Sequence, residues 1–132
     1  MQVNDLCRAP VVTVAAGQSL ASAARRMVLR GIGALVVLDA GQLAGILTER
    51  DLARAVADDA DMTTTPVGDY LSVAPASATP DEDAQAVAAR MLNLGVRHLP
   101  VVERGEVVGM LSARDLLVLA AWQPAQAQPT SL

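Results

Sequence analysis

Apolar residues recur with helical spacing near the start of the chain. Leu20, Ala23 and Met27 keep the i, i+3, i+7 spacing of one buried helix face. A serine directly before them is a typical N-cap, and Gly31 is a typical C-terminal stop. The pattern therefore predicts a helix over residues 20–30.

Short runs of β-forming residues lie on either side of this helix. The run at 11–14 predicts a strand before it. Two further runs, 34–38 and 43–47, flank a turn that contains Gly41, which is typical of a β-hairpin. A second helix is predicted over 49–57, so the order of elements is β-α-β-β-α.

The same order returns 64 residues later without a gap. Gly45 falls on Gly109 and Asp51 on Asp115, and charged residues match together with the periodic apolar positions. We infer an internal duplication. The second copy predicts a strand around 76–78, a helix over 84–94 capped by Asp81 or Asp83, a hairpin of 99–102 and 107–111, and a helix over 113–122.

The duplication predicts an α+β fold in which two β-α-β-β-α repeats pack about a pseudo-twofold axis. One copy of about 60 residues would be marginally stable alone, so the two copies are expected to share a core. The expected organisation is repeat 1 over 1–57, an acidic and Thr-rich linker over 58–66, repeat 2 over 67–122 and a disordered tail over 123–132.

Composition narrows the possible functions. The chain has 132 residues, a formal net charge of −4, no Lys and 2% aromatic residues. Without a basic run or stacking aromatics, a nucleic-acid partner is not expected. No apolar run approaches the ~20 residues of a membrane helix, and no signal-peptide layout is present, so we expect a cytoplasmic protein without a membrane partner.

A single cysteine, Cys7, and a single histidine, His98, limit the chemistry further. They exclude an internal disulfide framework, a zinc site built from a cysteine cluster, and most His-based metal sites and triads. The sequence also lacks a Walker loop and a nucleophile elbow. We therefore expect no catalytic residue, no metal and no enzymatic activity.

The candidate chemistry lies at the end of each hairpin, in a Gly-hydrophobic-hydrophobic-Ser/Thr-x-x-Asp motif. One interpretation is a capping box, in which hydroxyl and carboxylate satisfy the N–H groups of a helix start. The other is a ligand site, in which the same groups take a sugar diol and the adjacent arginine takes a phosphate. The glycine and the arginine occur in both copies, which favours the ligand site. The residues are Thr48, Arg50 and Asp51 in the first copy, and Ser112, Arg114 and Asp115 in the second.

The duplicated unit with this motif resembles a pair of CBS domains, the Bateman module, over residues 3–122. A Val-x-Asp start in each copy and the segment Arg97-His98-Leu99-Pro100-Val101 add to the resemblance. It implies two clefts, each lined by both repeats, that bind adenine-containing ligands. AMP, ADP and ATP are the expected ligands, with S-adenosylmethionine as a further candidate, and no cofactor is obligatory.

The resemblance also implies roles for single residues. Asp51 and Asp115 would hold the ribose, with Thr48 and Ser112 beside ribose and phosphate. Further implied contacts are Thr13 and Ser77 on the first strands, Ile32, Ala34, Val96 and the backbone near Pro100 at the adenine, and Arg97 and His98 at the phosphates. His98 is also compatible with a histidine that only packs at a strand start. Because the first copy has Gly33-Ala34 in place of Arg97-His98, two unequal sites are expected.

Two functions are compatible with these features. One is a homodimeric regulatory module that senses an adenine nucleotide and passes its state to a regulated partner protein. The homodimer is expected because the short helices carry apolar faces that one copy only partly covers. The alternative is a ligand-independent dimerisation or scaffold module in which both motifs are only helix caps.

Overall fold

The computed structural model describes residues 1–74 and 76–121, which form two compact units. The continuous unit is the single stretch Ala9–Pro75. The split unit combines Met1–Arg8 with Ala76–Leu132. The predicted tail and Trp122 lie outside the described residues.

The continuous unit is a three-stranded sheet with two helices. Its strand order is β1-β2-β3, with β1 parallel to β2 because α1 crosses between them, and β2 antiparallel to β3. Ala40 and Gly41 close the hairpin with φ angles of 49° and 79°, the left-handed conformation of a type I′ turn. The elements are β1 (Thr13–Ala15), α1 (Leu20–Arg30), β2 (Ala34–Asp39), β3 (Gln42–Thr48) and α2 (Glu49–Ala57).

The split unit repeats this plan with two differences. The strand expected at 76–78 is reduced to one parallel bridge between Ala78 and Val101. The last helix begins four residues later than predicted, because residues 113–116 form turns. The elements are α3 (Ala84–Leu94), β4 (His98–Glu103), β5 (Glu106–Ser112) and α4 (Leu117–Ala121).

The start of each sequence copy packs into the core formed by the other copy. Val3, in a single 3₁₀ turn, is fully buried with Val87 and Leu99 of the split unit. Val67, in the equivalent turn, is fully buried in the core of the continuous unit. The sequence repeats and the compact units therefore have different boundaries.

The acidic segment 58–66 is an ordered part of the continuous unit. Ala60 and Met62 pack against its core. The carbonyl oxygens of Met62 and Thr65 accept hydrogen bonds of 2.8 and 3.0 Å from the first N–H groups of α1. These groups have no partner within a helix, so the segment completes the helix start.

The structure confirms the mixed α+β class and the bounds of α1, α2 and α3. Of the two caps proposed for α3, Asp83 is the one used, and its side chain accepts from Ala86 N at 3.1 Å. The four long strands extend one or two residues beyond the predicted runs. No described helix combines the length and hydropathy needed to cross a membrane.

Candidate functional site

The first corner, Thr48 to Asp51, joins β3 to α2 in the continuous unit. Thr48 donates to Oδ2 of Asp51 from its backbone N at 2.8 Å and from its hydroxyl at 3.0 Å. In return, the backbone N of Asp51 donates to the Thr48 hydroxyl at 3.3 Å. This reciprocal pair is a capping box, and it satisfies the start of α2.

The second oxygen of Asp51 is also fully used. Arg54 Nη2 and the Ser72 hydroxyl each donate to Oδ1 at 2.9 Å. Asp51 is 2% exposed and accepts four hydrogen bonds from its own unit. The described contacts leave it little capacity to take a further donor.

The second corner, Ser112 to Asp115, ends β5 in the split unit and has fewer internal contacts. Ser112 N donates to Oδ2 of Asp115 at 2.9 Å, and Asp115 N donates to the Ser112 hydroxyl at 3.1 Å. Oδ1 has one contact among the described residues, Arg8 Nε at 3.5 Å. One carboxylate oxygen therefore lacks a close hydrogen-bond donor.

Two substitutions at equivalent positions produce this difference. Val118 in the second sequence copy is equivalent to Arg54 in the first. Arg8 in the first sequence copy is equivalent to Ser72 in the second. The apolar Val118 cannot donate to the carboxylate. The pattern within the motif is the same in both copies, so residues outside it decide how fully each Asp is satisfied.

The chain after the second corner does not enter a helix at once. Leu116 N donates to Ala113 O at 3.2 Å and also to Ser112 O at 3.3 Å, and Leu117 N donates to Arg114 O at 3.1 Å. Bonds of the tighter 3₁₀ spacing are therefore mixed with one of α-helical spacing. The first copy has Glu49 in the first turn and an Arg54–Asp51 pair across one turn, both of which favour a helix start. Ala113 and Val118 supply neither.

The motif glycines are required by packing. A Cβ on Gly45 would overlap the carbonyl oxygen of Ser72, and one on Gly109 would lie 2.8 Å from that of Arg8. In each unit a neighbouring segment forms an isolated β-bridge to the strand residue that follows the glycine. Ser72 pairs with Ile46 in one unit, and Arg8 pairs with Met110 in the other. The repeated glycine thus has a structural cause and does not itself indicate a ligand.

Some of the predicted site residues lie beside the corners. Ala34 pairs with Thr48 across β2 and β3, and His98, which is half-buried, pairs with Ser112 across β4 and β5. The carbonyl oxygen of Arg97 accepts from Ala113 N at 2.8 Å. Ile32 and Val96 follow the C-terminal glycines of α1 and α3, and Pro100 O accepts from Ala78 N at 3.0 Å.

Within the described residues, the side chains of the other predicted residues make no hydrogen bond to the motif hydroxyls or carboxylates. Arg50 and Arg114 are exposed and have no side-chain partner within the described residues. The carbonyl oxygens of Thr13 and Ser77 accept instead from Arg26 and Arg90, respectively. Arg26 and Arg90 are 64 positions apart and are therefore equivalent in the two copies, but the sequence alone gives no role for them.

Sequence reasoning missed Arg8, Arg54 and Ser72 at the two corners. Arg8 and Ser72 occupy equivalent positions but differ in type, so a search for identical residues passes over them. Arg54 has no polar equivalent. Only the fold shows that each lies against a motif carboxylate.

Titratable groups near the corners have defined environments. Burial, and then the negative charge of Asp115, raise the pKa of the Cys7 thiol, which therefore stays protonated at neutral pH. In the segment 58–66, the hydroxyl and N–H of Thr63 lower the pKa of Asp61. A hydrogen bond to Asp58 raises the pKa of Tyr70.

Within the described residues, no three His, Cys, Asp or Glu side chains converge as metal ligands.

Comparisons with known proteins agree on one family. The model of the CBS domain matches residues 3–58 and 67–121. A CBS domain-containing protein of Bacillus subtilis, YhcV, is 31% identical over 116 residues, which cover 88% of this chain and 83% of YhcV.

Two solved structures of the same kind contain ligands. The CBS domain pair of protein MJ0100, in complex with 5′-methylthioadenosine and S-adenosyl-L-methionine, is 27% identical with a TM-score of 0.82, covering 92% of this chain and 96% of that one. The CBS domain protein PAE2072 of Pyrobaculum aerophilum, complexed with AMP, is 26% identical with a TM-score of 0.80, covering 92% and 99%.

Proposed function

The chain belongs to the CBS-domain family and carries two copies of the domain, and from this premise we propose that it is a regulatory module that binds an adenine nucleotide and signals its state to a partner protein. Related CBS proteins have been solved with AMP or with S-adenosylmethionine. The proposal includes a homodimer, a cytoplasmic location and no catalytic activity. Val56 and Leu117, 62% and 68% exposed, are apolar side chains available to a second copy.

The observation that carries the proposal is the second corner. Among the residues that the structure describes, Oδ1 of Asp115 has no donor closer than 3.5 Å, although its side chain is only 10% exposed. A partly buried carboxylate oxygen of this kind can accept a hydrogen bond from a ribose hydroxyl, and such charge-assisted bonds are strong. The ribose is therefore assigned to Asp115 and Ser112.

The rest of the ligand is assigned to neighbouring residues of the same unit. Val96, which is half-buried, offers apolar contact to adenine, while Pro100 is buried and would contribute through the backbone near it. Apolar walls with backbone groups are sufficient to bind a base. Arg114 and Arg97 are exposed cations for phosphate, and His98 is half-buried beside them. This charge favours AMP, ADP or ATP over S-adenosylmethionine, whose sulfonium is cationic.

The first corner is assigned a weaker part. Its residues Thr13, Ile32, Ala34, Thr48 and Arg50 stay candidates for ligand contact, but Asp51 is saturated by its own unit. This saturation is also the observation that favours the scaffold alternative. If the second corner behaved like the first, both motifs would be helix caps and the module would act without a ligand.

Calorimetric titration of the full chain with AMP, ATP, S-adenosylmethionine and adenosine tests the proposal. Asp115→Ala should weaken nucleotide binding by roughly tenfold to a hundredfold, because it removes a charged acceptor worth about 1.5–3 kcal/mol. Glu106→Ala is the matched control, since Glu106 is exposed in the same unit and has no described side-chain partner.

Two results would contradict the proposal. If the parent chain binds none of the four compounds, the scaffold alternative replaces it. If the parent binds and Asp115→Ala binds equally well, the ribose assignment is wrong and the motif is a cap.

A further inference from the structure

Arg8 lies against the motif carboxylate of the split unit, although it comes from the opposite end of the chain. Its backbone is held on β5 by two hydrogen bonds to Met110, of 2.9 and 3.1 Å. Its Nε is 3.5 Å from Oδ1 of Asp115, and its side chain is 52% exposed. The two backbone hydrogen bonds thus fix the position of the Arg8 main chain, while its side chain stays half exposed to solvent.

The contact is poorly suited to a structural role. In the first corner, Arg54 and Ser72 each donate to Asp51 at 2.9 Å. Arg8 reaches Asp115 through a single, longer contact, and half-exposed ion pairs of this kind add little to stability. Its two terminal nitrogens have no partner among the described residues, so most of its five donors are available.

We propose that Arg8 is a specificity-determining residue that binds the phosphate of the ligand while Asp115 binds the sugar. This inference rests on the proposed function and names a residue that neither the motif nor the duplication indicates. The guanidinium and the carboxylate lie side by side, so together they offer donors for an anion and an acceptor for hydroxyls. That combination is complementary to a phosphorylated ribose.

Electrostatics gives the reason for a cation at this position. The negative charge of Asp115 repels a phosphate a few ångströms away, whereas it does not repel an uncharged nucleoside. A guanidinium beside the carboxylate offsets that repulsion and forms charge-assisted hydrogen bonds with phosphate oxygens. Arg8 should therefore affect a nucleotide more than the corresponding nucleoside.

The test compares AMP with adenosine on the full chain by calorimetric titration. Arg8→Ala removes the guanidinium without placing a hydroxyl beside Asp115, unlike the serine that lies beside Asp51 in the other unit. It should weaken AMP by roughly tenfold and change adenosine by less than about twofold. Arg8→Lys keeps the charge without the planar fork, so it should retain part of the preference for AMP.

Arg25→Ala is the control for losing one positive charge, because Arg25 is exposed on α1 and has no described partner. It should leave both affinities unchanged. Equal losses for AMP and adenosine in Arg8→Ala, or no loss for either, would overturn the role of Arg8 while the proposed function stands. A parent chain that binds neither AMP nor adenosine would overturn the role of Arg8, and one that also binds neither ATP nor S-adenosylmethionine would overturn the proposed function as well. If Arg8→Ala does not fold, Arg8→Gln provides the same comparison.

Discussion

The two corners have the same motif and different chemistry. In the first, Thr48 and Asp51 form a capping box whose carboxylate accepts four hydrogen bonds from its own unit. In the second, Ser112 and Asp115 form the equivalent box, but within the described part of the chain one oxygen has only the contact with Arg8 at 3.5 Å. The same residue types therefore complete a helix in one unit and leave an acceptor available in the other.

The difference shows that a motif defines a position and its surroundings define the role. Arg54 and Ser72 satisfy Asp51, whereas Val118 and Arg8 at the equivalent positions do not satisfy Asp115 in the same way. A capping interpretation is therefore correct for the first corner on the described contacts. The second corner is the better candidate for a ligand, and the comparison can be tested by changing one side at a time.

The largest effect on stability is expected from Asp51→Ala. The change leaves the Ser72 hydroxyl and the Thr48 N–H without their acceptor at a buried position, and it removes the ion pair with Arg54, whose exposed guanidinium keeps the Tyr70 carbonyl oxygen. Removing one partner of such a buried network should lower the free energy of unfolding by about 3 kcal/mol. Urea denaturation followed by circular dichroism measures it.

Asp115→Ala is the matched variant, and it should cost about 1 kcal/mol, the usual value for losing a helix cap. Equal destabilisation by the two variants would mean that the corners do not differ as their contacts indicate. A larger loss for Asp115→Ala would reverse the comparison.

The next largest effect is expected from Gly45→Ala. The new methyl group would overlap the Ser72 carbonyl oxygen and approach Leu71 Cδ1 to 2.9 Å, so the strand or its neighbour must move. Overpacking of this kind should lower the free energy of unfolding by about 2 kcal/mol. Thermal and urea denaturation should show Gly17→Ala, which meets nothing within 4 Å, to be close to the parent. A Gly45→Ala protein as stable as Gly17→Ala would show that this close approach carries no constraint.

Local signals were sufficient to predict most of the fold. Ser19, Gly31, Asp83 and Gly95 flank their helices as caps and stops, and the bounds of α1 and α3 follow from them. The hairpins follow from glycine-containing turns between β-forming runs. Each of these features depends on residues that are close in the sequence.

Features that depend on distant residues could not be predicted in this way. Self-similarity shows that Val3 and Val67 are equivalent, but it does not show that each packs in the core of the other copy. The availability of Asp115 likewise depends on Arg8, more than 100 positions away in a chain of 132 residues. The late start of α4 follows from Ala113, at a variable position inside the motif, and from Val118, which lies outside it.

The smallest effect concerns pH, and it again separates the two units. Glu82 of the split unit accepts from Thr79 N at 2.8 Å and pairs with Arg90, whereas the equivalent residue in the continuous unit is the uncharged Gln18. The Thr79 N–H, and then the Arg90 guanidinium, lower the pKa of Glu82 below its ordinary value of 4.5. The ionised carboxylate therefore adds stability above the unfolded-state pKa, and this contribution is lost as the pH falls through the lower folded-state pKa.

Because the Glu82–Arg90 pair is partly exposed, Glu82→Gln should lower the free energy of unfolding at pH 7 by no more than about 1 kcal/mol. In urea denaturation between pH 7 and pH 3.5, the difference in the free energy of unfolding between parent and Glu82→Gln should become smaller as the pH falls. The control is Glu103→Gln, because Glu103 is exposed and has no described side-chain partner, and it should follow the parent throughout. A gap that stays constant or widens as the pH falls would show that the charge of Glu82 does not distinguish the units.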